Sequence, residues 1–178
     1  MEPFTPVEYW KALILYGLNQ ATYKIALGKV LLDLASRGDT FVAWDTLAAQ
    51  FLDQYRTRLD SAERMPQQAN PARLTEMERI VFDLSNSSLP YGDAVAQVAQ
   101  RGFRDVAHRF HNLGSNQSLA GTFYELHYGK KLVLKESLQG IAIEQYDELV
   151  EELNARWSLL EGAFLINSTN QTLRNDLR

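Results

Sequence analysis

From Trp44 to Leu59 the apolar positions Trp44, Leu47, Ala48, Phe51, Leu52, Tyr55 and Leu59 follow one another at helical spacing, which predicts a helix burying one face. Upstream, Tyr9, Leu13 and Tyr16 recur near the same period, and Pro6 suits a first turn because its missing N–H has no intrahelical acceptor. Gly17 is expected to end or bend this helix, and Asn19 to cap the next. The second helix carries Ile25, Ala26, Leu27, Val30, Leu31, Leu34 and Ala35 nearly all round, so it is expected to lie among other helices, with Gly28 admitting a close neighbour. Gly38 is placed to take a positive φ at its end, and residues 40–43 read as a short extended entry to the Trp44 helix.

Residues 61–72 contain Pro66, Pro71 and a polar Gln-Gln-Ala-Asn run, and read as an exposed loop. Residues 74–84 and 91–112 read as further helices around the turn-rich stretch 85–92. The period changes at Thr122: the run TFYELHYGKKLVL alternates about His127-Tyr128-Gly129-Lys130 and predicts a small β-hairpin within residues 122–134. From Ile143 the helical period returns, with Tyr146, Leu149, Val150, Leu153, Trp157, Leu160 and Phe164 on one stripe and acids largely on the other faces. The last residues, NSTNQTLRNDLR, lack a core stripe. The expected fold is therefore mainly α, a multi-helix domain with one small β-hairpin. Residues 1–166 form a single domain, and residues 167–178 a polar tail or linker toward a downstream domain.

A chain of 178 residues can bury a sizeable single core, and its 46% apolar and 22% charged content is ordinary for a globular protein. Cysteine is absent, which removes disulfides, thiolate nucleophiles and cysteine-bearing zinc sites. The opening residues lack a basic segment, and the apolar run 12–16 is far short of the ~20 residues that span a bilayer, so no membrane partner and a cytoplasmic location are expected. The net charge of −4 is unevenly spread. Between Arg101 and Lys135 six basic residues face two acidic ones, whereas between Glu144 and Glu161 six acids face one base.

Catalytic templates are lacking. Neither GxSxG, nor a GxxxxGK[ST] phosphate loop, nor a GxGxxG turn occurs. His108, His111 and His127 lie close in sequence, but without a general base at zincin spacing they read as surface or core-edge residues, and neither a metal nor a cofactor is expected. Glu148, Glu151 and Glu152 read as the solvated face of a helix. The basic middle carries the candidate chemistry: Arg101, Arg104 and Arg109 on one helix, and Lys130 and Lys131 at the hairpin turn, with Tyr124 and Tyr128 nearby. Cations neutralise phosphates and aromatic rings stack on exposed bases, so this mixture suits nucleic acid.

The blocks YWKALILYG (residues 9–17), ATYKIAL (21–27), the Trp44-Asp45-x-Leu47-Ala48 helix, MPQQ-x-NP (65–71), Phe103-x-Asp105-Val106 with Arg109-Phe110-His111, Phe123-Tyr124-Glu125 with Gly129–Leu134, and ARWSLLEGAF (155–164) form a series. Together they resemble the amino-terminal region of bacterial HNH-type endonucleases. In proteins of that type the metal-bearing nuclease domain follows this region; here no position matches its cleavage motif, so no catalytic residue carries over. The resemblance implies a non-catalytic domain that recognises or positions DNA in restriction or defence against phage, joined to a downstream nuclease domain or partner protein. Two other readings compete with it: a helical interaction or dimerisation module giving a homo-oligomer, and a metal-dependent enzyme built on the histidines.

Overall fold

The computed structural model describes residues 4–16, 21–60, 63–70, 72–113 and 119–177. Among them run α1 (Pro6–Tyr16), α2 (Tyr23–Ser36), β1 (Phe41–Ala43), α3 (Trp44–Leu59), α4 (Glu76–Ser85), α5 (Tyr91–Gln97), a π-helical segment (Val98–Gly102), α6 (Arg104–Arg109), β2 (Tyr124–His127), β3 (Lys131–Leu134) and α7 (Glu136–Asp176). The fold is mainly α with a small antiparallel sheet. No described helix is long and apolar enough to cross a membrane.

α2 is the spine of the core. Ten of its residues are buried, and it packs along α7, with α3 and α6 on its other sides. Gly28 permits the close α7 approach: a Cβ there would stand 3.4 Å from the Leu153 methyls. The helix closes with Gly38 at φ +81, its N–H donating to the Ala35 carbonyl and that of Asp39 to the Leu34 carbonyl. These paired bonds satisfy carbonyls that the last turn would otherwise leave open. The buried face of α3 is the stripe expected from its spacing.

Several expectations are corrected. In α1 the buried residues are Trp10, Leu13 and Ile14, while Tyr16 is exposed, because the helix turns Trp10 rather than Tyr9 toward Phe110 and Phe123. Thr22 occupies the N-cap of α2; Gly17 and Asn19, expected to break and cap there, lie outside the described residues. The single helix expected over residues 91–112 is split by the π-helical segment and by Phe103, which leaves helical geometry at φ −121 and ψ 4. At the end of that segment Gly102 meets α4 so closely that a Cβ would lie 2.7 Å from the Met77 sulfur.

The hairpin gains a strand. β3 lies between β2 and β1, with Ala43 opposite Lys131 and His127 opposite the same lysine. Gly129, at φ +69, is the third residue of the turn, a position whose positive φ calls for glycine, and the Lys130 N–H closes the turn on the His127 carbonyl at 2.9 Å. The Lys130 carbonyl in turn accepts the Trp44 N–H at 2.9 Å, so the turn satisfies the first turn of α3.

α7 starts earlier and ends later than the period implies, with non-helical geometry at Gln145 inside it. Residues 167–176, within the stretch 167–178 expected as a polar tail or linker, are helical and continue α7. They hold no Gly or Pro, and a nucleated helix propagates at little cost through such a stretch. The segment 61–72, expected to be exposed, instead sends Gln67 fully into the core. Its amide oxygen accepts from the Trp157 indole and from Thr22 Oγ1, both at 2.8 Å, and its amide nitrogen donates to Glu161 Oε2 at 2.6 Å and to the Met65 carbonyl at 3.1 Å. Glu161, buried on the core stripe rather than on a solvated face, takes two further bonds from Arg58.

Two substitutions test this core. Trp157→Ala removes a fully buried indole and should cost about 3–5 kcal/mol in denaturant unfolding. Gln67→Leu keeps the volume but leaves the indole N–H and one Glu161 oxygen without that partner, Thr22 retaining the Tyr55 hydroxyl; it should cost about 3 kcal/mol or more. A near-neutral Gln67→Leu would show that the network contributes little.

Candidate nucleic-acid interface

The sheet presents two faces. Val42, Leu132, Leu134 and Tyr124 point into the core, while Phe41, Lys131, Glu125 and His127 are exposed on the outer face. Lys131 lies beside His127 in register, and its ammonium sits over the exposed Phe41 ring, 5.7 Å from the centroid. Lys130 follows in the turn itself and is exposed.

α6 is brought against this turn by aromatic packing. Trp44 packs against Phe103, with ring centroids 4.7 Å apart, and against Tyr128 at 5.5 Å, and its indole N–H donates to the Ala99 carbonyl in the π-helical segment at 2.8 Å. The Tyr128 hydroxyl donates to the Arg104 carbonyl at 3.1 Å, and the Arg104 guanidinium lies over the Tyr128 ring at 5.4 Å. His108, one turn on from Arg104, is 6.4 Å from the same ring. Tyr128 is 45% exposed, so part of its ring is open to a ligand.

The five basic residues expected to act together therefore divide. Arg104 lies over the exposed Tyr128 ring, Lys130 stands two residues after that tyrosine in the β2–β3 turn, and Lys131 opens β3 with its ammonium over Phe41. Arg101, on the π-helical segment, approaches Glu76 of α4 at 4.0 Å; that carboxylate also holds Arg79 at 3.1 Å. Arg109 is exposed, but five residues along a helix from Arg104 is a rotation of about 140°, which turns it to another face. Lys135, counted in the basic middle, is paired with Glu125 at 3.2 Å. Tyr124, expected nearby as a stacking ring, is buried, with its hydroxyl donating to the Ala107 carbonyl at 2.6 Å.

The histidines do not act as a set. α6 ends at Arg109, so His108 and His111 do not share a helical face: His108 is exposed and His111 is buried between Phe123 and Tyr124. His127 is exposed on the sheet. Among the described residues no three His, Asp or Glu side chains are grouped to hold a metal. The acids of α7 are engaged in part within the fold, Glu148 and Glu152 both pairing with Lys11, at 3.2 and 3.3 Å.

Sequence reasoning missed Lys24. It is buried, donates to the Asn112 carbonyl at 3.1 Å and lies over Phe110, and burial lowers its pKa to about 8. Nothing in the local pattern separates it from Lys29 on the same helix, which is only half-buried. Burial, and then the charges of Lys24 and Lys135, hold the His111 pKa down at about 4, and its neutral Nε2 accepts the Phe123 N–H at 3.2 Å.

No protein-family model, curated protein or solved structure matches the chain.

A histidine whose folded pKa is depressed binds fewer protons than it does unfolded over the interval between the two values. His111 should therefore contribute its full stability above about pH 6.5, and that contribution should decline as pH falls toward about 4. Thermal unfolding of wild type and of His111→Gln, which can keep an acceptor but does not titrate, should diverge in slope across this window. Parallel profiles would contradict the neutral, accepting histidine.

Proposed function

We propose that the chain is a non-catalytic DNA-binding domain that recognises or positions DNA for an HNH-type endonuclease acting in restriction or defence against phage. The observation that carries the DNA reading is the exposed Arg104 lying over the half-open ring of Tyr128, with Lys130 and Lys131 exposed within three residues of that tyrosine. Three exposed cations on α6 and at the β2–β3 turn can contact successive phosphates, and phosphate contacts set position without specifying sequence. Tyr128 adds a surface for a sugar or an unpaired base. The tie to a nuclease rests on the resemblance of the sequence blocks, several of whose residues, among them Gln67, Trp157, Phe103 and Phe123, lie in the core. In this reading the cleavage chemistry and its metal belong to a downstream nuclease domain, and the chain itself supplies the grip.

Duplex binding by the chain should weaken with salt at a slope of about −0.9 per phosphate neutralised, or about −3 for the three cations. Arg104→Glu combined with Lys131→Glu should weaken binding to all sequences and reduce that slope by about 2, with thermal stability little changed because exposed charges contribute about 0–1 kcal/mol. Arg109→Glu should have the smaller effect. Absence of binding at low salt, or equal binding by the double reversal, would remove the DNA reading.

A further inference from the structure

α7 carries a second apolar stripe that its own domain does not use. The core stripe runs through Leu153, Trp157, Leu160 and Phe164. Each of Leu159 and Ala163 stands one residue before a core position, a rotation of about 100°, and from Leu159 the spacing continues as four, three, four, three and four to Ala163, Ile166, Asn170, Leu173 and Leu177. All six are exposed, Leu159 at 67%, Ile166 at 64%, Leu173 at 55% and Leu177 at 87%. Upstream the same register reaches Arg156 and Glu152, the latter paired with Lys11 of α1, so the apolar seam begins at Leu159.

We infer that this half of α7 pairs with α7 of a second copy in a short parallel coiled coil. The alternation of four and three is the heptad seam, with Leu159, Ile166 and Leu173 at d positions and Ala163, Asn170 and Leu177 at a. The seam holds no charged residue, so it is complementary to itself. Asn170 sets the direction. In a parallel pair it meets Asn170 of the second copy, amide to amide, and each can donate and accept; in an antiparallel pair centred on the seam it would face Ile166 and lose its partner in an apolar layer.

The area sets the strength. Burying a Leu or Ile side chain removes on the order of 100 Å² from water, so four of them with their neighbours give roughly half of the ~800 Å² that each partner contributes to a stable interface. The dimer is therefore weak and concentration-dependent, and does not rest on the DNA reading.

Sedimentation of the full chain should show a mass rising from monomer toward dimer as its concentration is raised to about 1 mM. Ile166→Glu with Leu173→Glu should remain monomeric over that range while keeping the wild-type unfolding midpoint, since both positions are exposed. The cysteine-free chain allows a second measurement that needs no loss of packing. Asn170→Cys should oxidise to a disulfide-linked dimer, whereas Asn175→Cys, on the outer side of the same helix, should not. A chain that stays monomeric at about 1 mM, a double-glutamate variant that associates like wild type, or an Asn170→Cys variant that cross-links no faster than Asn175→Cys would overturn the inference.

Discussion

The side-chain amide of Gln67 is the joint of this fold. It can make four hydrogen bonds and makes four inside the core, so it fixes at once the loop that carries it, the start of α2 through Thr22, and α7 through Trp157 and Glu161. Thr22 passes the chain of bonds to the Tyr55 hydroxyl at 2.8 Å, and Arg58 closes it on the other oxygen of Glu161, which brings in α3. A buried carboxylate without partners is costly, and so is a buried amide. The network is therefore satisfied as a unit, and the relative placement of α2, α3 and α7 follows from it.

The outer surface depends on that placement through aromatic rings. Phe51 of α3 touches Phe103 at 5.8 Å, Phe103 touches Trp44, and Trp44 touches Tyr128. The series runs from the buried interior to the exposed ring beside Arg104. The hairpin turn is held from below by the bond between its Lys130 carbonyl and the first N–H of α3. Arg104, Lys130 and Lys131 thus extend from positions fixed by the packing of the core, which suits contacts that must match the spacing of phosphates.

The helical face of α3 and the period-two run at β2 and β3 were legible because both signals are local to a few turns or residues. β1 was legible only as an extended entry over residues 40–43; its place in the sheet was not, since three residues carry no periodicity and the pairing depends on Lys131, Leu132 and Val133 far along the chain. Gln67 sits in a polar, proline-flanked stretch, and its burial is decided by Trp157 and Glu161, some 90 residues away. Glu161 was hidden for the complementary reason: a carboxylate on a core stripe is paired only if an arginine of another helix reaches it. At the candidate site, the basic residues were legible as a cluster in sequence. Which of them face one another was not, because the break at Phe103 and the π-helical segment set the direction of Arg101, Arg104 and Arg109.

The most direct test is to map backbone amide chemical-shift changes in the full chain as a short DNA duplex is added at low salt. The account predicts changes concentrated at residues 103–108 and 127–131, with α2 and the buried part of α7 unaffected. Changes confined to other surfaces, or none at all, would contradict it.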